Sequence, residues 1–375
     1  MKKRLVPAQL HLLSGGPFEK PVFPFPFRFR PPSDPAAVAL RRKYRLQEIA
    51  GDGTDFARAR RLKNWVRRQW NHGYSGEGEQ ERTRQDALEI LARARRGNDF
   101  SCWYYRRVFV QCCLAIGLPA REVGVCRGRA DFPDGIELNT AHAVAEVYCR
   151  ELGKWVMLDV DANAFYTIAG VPAGVLDVHR AWHTRKAATV KQVLDPPRFV
   201  YPTHSPFWDD RTMRKVWRDF TRHRTVDFYD HIFTHLLSGF PDPPRKIGQR
   251  CLWYVGQRSP LLAMNFYGND LDRFLFVEDE AHFNWPLQRT FALASMKQGR
   301  PSNRIELRLD HTMPFFDRFE VSVGRQPFRK IAGNRLVFDC PAGRTLLRAR
   351  CVDCFGRPGH EATLEIELKP ATPRK

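Results

Sequence analysis

A cysteine, a histidine and an aspartate stand in that order at positions 102, 142 and 159, inside the stretches SCWYYRRVFVQCCLAIGLPA, AHAVAEVY and KWVMLDVD. A thiol, an imidazole and a carboxylate are the three groups needed to attack a carbonyl and hold the acyl group as a thioester. Cys102 would be the nucleophile. His142 would take its proton and later protonate the leaving amine. Asp159 would bind the second ring nitrogen and fix the tautomer.

Each group needs an element to position it. From Cys102 onward the apolar residues Tyr105, Phe109, Cys112 or Cys113 and Ile116 recur at helical spacing, and Gly117 and Pro119 stop the pattern. A thiol in the first helical turn sees the positive end of the helix dipole and free backbone N–H groups, both of which favour the nucleophilic thiolate. Asp99 or Ser101 is expected to cap this helix, and the N–H of Cys102 points to where an oxyanion would develop. REVGV reads as a short strand, 127–139 as a polar loop, and AHAVAEVYC and KWVMLDV as neighbouring strands joined by RELG. Their register decides the chemistry. Pairing Tyr148 with Gly153 sets His142 opposite Asp159, whereas pairing Cys149 with Trp155 turns Asp159 to the other face. The mechanism requires the first register or a bulge.

Taken one by one, these residues also have inert readings. A cysteine on a helix stripe is commonly a small buried hydrophobe, a strand histidine can be a satisfied core residue, and Asp159 can begin a turn. Asp161, two residues on, is a second candidate for the carboxylate.

The ordered combination, over residues from about 60 to 166, resembles the transglutaminase-like superfamily. The resemblance is carried by Cys102-Trp103, Gly117-Leu118-Pro119-Ala120-Arg121, His142-Ala143, Glu146-Val147-Tyr148, Trp155 and Asp159. It implies a papain-like cysteine fold with Cys102, His142 and Asp159 as catalytic residues, acting on amide carbonyls of peptide or glutamine type. Hydrolysis is favoured over transamidation by analogy with relatives that are proteases or amidases. Phe100-Ser101 replaces the small glycine usual before the cysteine, and Val144 replaces an aromatic. The family's second oxyanion donor has candidates in Trp65, Gln69 and Trp70. The alternative is an inactive scaffold of the same fold that binds a polymer or a protein partner. A peptide N-glycanase-like activity would share the triad, but the paired CxxC motif expected before it is absent.

The fold class expected is α+β: a papain-like, transglutaminase-like core with a C-terminal immunoglobulin-like β-sandwich. Residues 1–35, where proline alternates with phenylalanine, should be an extended arm laid on the next domain, with Phe23, Phe25, Phe27 and Phe29 on one face. Residues 36–170 form the catalytic core and 171–286 a mixed linking region with helix-like pieces TMRKVWRDFTRH and TVDFYDHIFTHLL. Residues 287–370 alternate apolar and polar residues between glycine turns, as sandwich strands do. NHGYSGEGE reads as a loop.

The net charge of +20 would suit a polyanion, but arginine is spread along the chain and no nucleic-acid module accompanies it, so nucleic acid is not expected as a partner. A protein or peptide substrate is. No apolar run is long enough for a membrane span, and the basic start has an apolar stretch too short and broken for a signal peptide. Nine cysteines without scaffold spacing point to a reducing, cytoplasmic setting. No cofactor and no metal are called for. Asp159-x-Asp161-x-Asn163 lacks the glycine and glutamate of a calcium loop. The i, i+4 pairs His179/His183 and His231/His235, and Cys351-x-x-Cys354 with Cys340 and His360, are weak metal patterns better read as packing.

Overall fold

The computed structural model describes residues 9–15, 27–76, 86–128, 136–197, 211, 225–240, 251–256, 274–296 and 303–369. The helix expected at 212–223, Phe23 and Phe25, and residues 77–79 of the glycine-rich loop lie outside them. The chain divides into two compact units, residues 25–285 and residues 1–24 with 286–375.

The larger unit is built on a sheet of nine described strands. Its spatial order is Phe274–Val277, Cys251–Tyr254, His231–His235, Ala120–Gly128, Ile136–Cys149, Lys154–Asp159 and Ala164–Ile168; Val171–Pro172 and Val190–Leu194 both pair with the last. All pairs are antiparallel except that between Cys251–Tyr254 and Phe274–Val277. The strand pair either side of the expected 127–139 loop is longer than its sequence suggested. Ala120–Gly128 and Ile136–Cys149 both reach into it, and 129–135 lie outside the described residues. The expected linking region also gives strands to this sheet. Thr225–His235, read as helical, is a 3-10 segment over Thr225–Asp230 followed by a strand over His231–His235. Sheet pairing with Ala120–Gly128 outweighs the local helical pattern there.

The helix Cys102–Ala115 packs against the central strands Ala120–Gly128 and Ile136–Cys149. Every residue from Tyr104 to Ala115 is buried, so both faces of this helix are core. It ends where the sequence indicated. Gly117 sits at φ +76°, its N–H donates to Leu114 O at 3.0 Å, and Leu118 N–H donates to Cys113 O at 2.9 Å. That is a Schellman closure, which needs a residue free to take a left-handed conformation.

Part of the N-terminal arm belongs to this unit. Arg28–Phe29 pairs in parallel with Leu237–Ser238, Phe27 packs on Trp285, and Phe29 stacks on Trp155. Gln9–Ser14 instead is a strand of the other unit, paired antiparallel with Ala362–Lys369.

That second unit is a β-sandwich. One sheet runs Gln9–Ser14, Ala362–Lys369, Gly343–Asp353, Phe316–Val323, Arg329–Ile331; the other runs Thr290–Met296, Arg304–His311, Arg335–Asp339. Ile305, Leu307 and Leu309 alternate inward with Glu306 and Arg308. They share one core with Phe319, Val321, Leu347, Leu364 and Ile366 from the facing sheet. Among the described residues, no helix is long and apolar enough to cross a membrane.

Candidate active site

Cys102 is the first residue of its helix. Ser101 is the N-cap with extended backbone, φ −77° and ψ −179°, but its side chain makes no capping bond, so the side-chain cap expected from Asp99 or Ser101 is not formed. The first intrahelical bonds run from the N–H groups of Tyr104 and Tyr105 to Ser101 O. The helix geometry therefore leaves the N–H groups of Cys102 and Trp103 without intrahelical acceptors. Cys102 is half-buried, whereas seven other cysteines are buried and Cys354 is exposed. Burial pushes the thiols of Cys112, Cys113, Cys126 and Cys149 well up, away from the reactive thiolate.

The strand register is neither of the two considered. Tyr148 lies opposite Trp155, and Ala145 opposite Leu158. Asp159 then falls opposite Val144, on the same face as His142 and one diagonal step away. No bulge is needed: His142 Nε2 donates to Asp159 Oδ2 at 2.9 Å. A carboxylate only accepts, so the proton sits on Nε2 and Nδ1 is left for the thiol. A ring nitrogen of His142 also lies within 4.8 Å of Cys102 Sγ. Burial pulls the His142 pKa down, but the Asp159 charge and hydrogen bond, with Cys102, more than offset it and hold the imidazole well above its ordinary 6.5.

Asp159 does begin a turn, as its inert reading had it, since Oδ1 accepts the Ala162 N–H at 3.0 Å. One carboxylate thus anchors the turn and orients the imidazole. The three polar side chains of this turn fan out to separate partners. Asp159 takes His142. Asp161 takes His72, whose Nδ1 lies 2.9 and 2.8 Å from its two oxygens. Asn163, at φ +53°, accepts from Lys63 Nζ at 2.8 Å and donates to Asp195 O at 2.9 Å. Lys63 also pairs with Asp195 at 3.0 Å; burial lowers its pKa to about 8 despite that carboxylate. The alternating polar residues that resembled a calcium loop are therefore spent on separate side chains. Between the two candidate carboxylates, Asp159 holds His142. Asp161 nevertheless stays close: one of its oxygens, Cys102 Sγ and a His142 ring nitrogen lie within 4.8 Å of one another.

The oxyanion candidates fare differently. Trp70 Nε1 donates to Phe100 O at 3.1 Å, Gln69 Nε2 to Trp65 O at 2.8 Å, and the Trp65 ring packs on Tyr44. The other motif residues build the scaffold. Arg121 is fully buried, with Nε 2.8 Å and Nη2 2.6 Å from Glu146 Oε2, Nη1 donating to Phe283 O at 2.6 Å, and its plane over Trp155. Glu146 Oε1 accepts the Val175 N–H at 2.7 Å. His72 and Lys63 were not singled out from sequence. The one available signal was Asp161 itself, a second aspartate that had to find a buried partner.

Several side chains of the weak metal patterns have partners within the protein. His179 and His183 share the helix Val175–His183, with His179 Nδ1 donating to Tyr229 O at 2.8 Å. His231 and His235 lie on a strand, not a helix. Cys351 is buried and hydrogen-bonds Thr290 at 3.2 Å, and burial lifts its thiol to about 11, while Cys354 is exposed.

Residues 43–160 match the family model of the transglutaminase-like superfamily. No curated protein matches the chain significantly. Among matching solved structures is one from Cytophaga hutchinsonii, provisionally described as a cysteine protease, at 14% identity and a TM-score of 0.26. The match covers 45% of this chain and 56% of that one, so the chain spans about half the length of that relative. The family match takes in the helix of Cys102, the strand of His142 and the strand of Asp159: residues 43–160 are a transglutaminase-like core.

Proposed function

We propose that this protein is a cysteine enzyme that cleaves amide bonds of peptide or glutamine type through an acyl-thioester on Cys102. The observation that carries the reading is His142 held between the Cys102 thiol and the Asp159 carboxylate. His142 takes the thiol proton, and the sulfur adds to the amide carbonyl. The N–H of Cys102, at the helix start, stabilises the oxyanion. Collapse breaks the C–N bond as His142 returns the proton to the leaving amine. Water, deprotonated by His142, then attacks the thioester and releases an acid and the free thiol. An acceptor amine in place of water would give transamidation, and hydrolysis is the outcome we favour. Residues 36–170 act as the catalytic core and the sandwich as an accessory unit. A surface cleft of about 310 Å³, lined by Arg67, Arg68, Trp70, Asn98, Asp99 and Pro197, suits an extended peptide.

One observation favours the alternative, a non-catalytic scaffold binding a protein partner or polymer: the side-chain N–H groups of Trp70 and Gln69 are committed to backbone carbonyls. Mass spectrometry of the intact protein, incubated with a para-nitrophenyl ester and with a glutamine-containing peptide, separates the two. An acyl adduct on Cys102, absent from Cys102→Ala, is expected. No adduct and no turnover with either probe would favour the scaffold. Peptide carboxylate formed in the presence of a primary amine marks hydrolysis, and amine incorporation marks transamidation.

A further inference from the structure

The site holds two histidine–carboxylate pairs, and the reaction uses one. The second is His72–Asp161. Asp161 is fully buried and His72 is 2% exposed. An Asp161 oxygen lies within 4.8 Å of both Cys102 Sγ and a ring nitrogen of His142. An unpaired carboxylate there would do two kinds of harm. It would repel a thiolate in a low-dielectric pocket, and it would compete with Asp159 for His142.

His72 meets both problems. Because the carboxylate can only accept, His72 Nδ1 donates to it, over 2.9 and 2.8 Å to the two oxygens. Both oxygens of the carboxylate are thereby engaged by the His72 ring. The far nitrogen, Nε2, lies 3.3 Å from the Tyr74 hydroxyl, with the two rings edge to face.

The chain fixes His72 there by backbone contact with the nucleophile's own approach. His72 forms a parallel bridge with Phe100, and Gly73 and Gly76 N–H groups donate to Phe100 O and Asp99 O at 3.3 and 2.9 Å. A Cβ on Gly73 would come within 2.6 Å of Asp99 Cβ, and one on Gly76 within 2.3 Å of the Phe100 ring. Only glycine permits so close an approach at these two places. The loop that carries His72 is thus stitched to the two residues before Ser101 and Cys102.

We propose that His72 is a positioning residue for the reaction, which clamps Asp161 so that the thiolate of Cys102 is not repelled and His142 stays with Asp159. This rests on Cys102 being the nucleophile. Asp161 is held below the ordinary carboxylate range: burial alone would raise it, but the charge and hydrogen bond of His72, with His142 and Arg67, prevail. The other ionisable groups facing the cluster are Asp159, Lys63 and Tyr105, the last hydrogen-bonded to Arg67 Nη1 at 2.9 Å.

The test is the pH dependence of Cys102 alkylation by iodoacetamide, read by peptide mass spectrometry on the full chain, with circular dichroism as the check on folding. His72→Gln should move the pH of half-maximal labelling up by about one unit, the scale of a single nearby charge. His72→Gln combined with Asp161→Asn should return it most of the way, because the charge to be met is gone. Asp161→Asn alone should shift it by less than about half a unit from the wild-type value, and this variant stands in if His72→Gln does not fold. An unmoved profile in folded His72→Gln, no recovery in the double variant, or a larger shift in Asp161→Asn would each overturn the proposal. If the wild-type protein labels no faster than an unactivated thiol, Cys102 is not the nucleophile; if it labels fast but His72→Gln does not differ, only the role of His72 falls.

Discussion

The two units bury different things. The core of residues 25–285 encloses Lys63, Arg67, Arg106, Arg107, Arg121, Glu122, Glu146 and the two histidine–aspartate pairs. Among its described residues the sandwich encloses mostly aliphatic and aromatic side chains, with Gln288, three threonines, Ser322 and Asp353 as its buried polar and charged groups. Both rest on mostly antiparallel sheets, but core strands such as His231–His235 and Cys251–Tyr254 are buried along their whole length, whereas sandwich strands such as Arg304–His311 and Ala362–Lys369 alternate. Buried ion pairs gain little net stability over apolar packing, but they hold side chains in one arrangement, and breaking one is costly. The core spends burial on orientation, and the sandwich spends it on cohesion. Two cysteines make the same point. Cys102 is half-buried with its sulfur within 4.8 Å of an imidazole nitrogen; Cys351 is buried against Thr290 with its thiol raised to about 11.

If that division is right, substitutions in the two units should fail in different ways. The largest effect belongs to Cys102→Ala, which should abolish acyl-adduct formation while changing stability by less than about 1 kcal/mol, since it removes one half-buried sulfur. Cys351→Ala should do the reverse, losing stability and keeping the adduct; chemical denaturation alongside adduct mass reads both. Next comes Glu146→Ala, which strands the buried guanidinium of Arg121 and should cost about 3–5 kcal/mol. A loss below 1 kcal/mol in urea unfolding would mean that the pair is not the scaffold assumed here. Leu307→Ala, in the sandwich core, should cost about 2–5 kcal/mol and leave the labelling rate of folded protein unchanged; a slowed rate would break the division of roles.

The smallest effect concerns pH. Burial first, then the neighbouring His183, depress His179 to about 3 from 6.5, with Asp230 opposing and His231 adding to the depression. The folded protein therefore keeps His179 neutral while the unfolded chain binds a proton below about 6.5. Its contribution is present above 6.5 and is lost as pH falls from there toward 3. The unfolding midpoint should drop between pH 7 and pH 5, and less so in His179→Asn, whose amide can still donate to Tyr229 O. An equal drop in both proteins would assign the acid sensitivity elsewhere.

Much of the site was legible because its signals are local. The helix start at Cys102, its glycine stop at Gly117 and the alternation through His142 and Asp159 are written within short windows. The sandwich strands were legible for the same reason. The register between two strands was not, since hydrophobic alternation is the same in several registers and the four-residue connection leaves their offset open. The helical reading of 225–237 failed because pairing with Ala120–Gly128 decides that segment. His72 escaped notice because its partner is 89 residues away, and a histidine in a glycine-rich stretch reads as solvated loop.

The central claim is that Cys102 is activated by His142. The most direct measurement is the rate of iodoacetamide labelling at Cys102 near neutral pH, compared between the wild-type protein and His142→Ala, with buried Cys351 as the internal reference. Fast, selective labelling of Cys102 that falls by at least about tenfold in His142→Ala is expected, a conservative bound for losing the base beside a nucleophile. Labelling of Cys102 at the rate of a free thiol, unchanged in His142→Ala, would contradict the account.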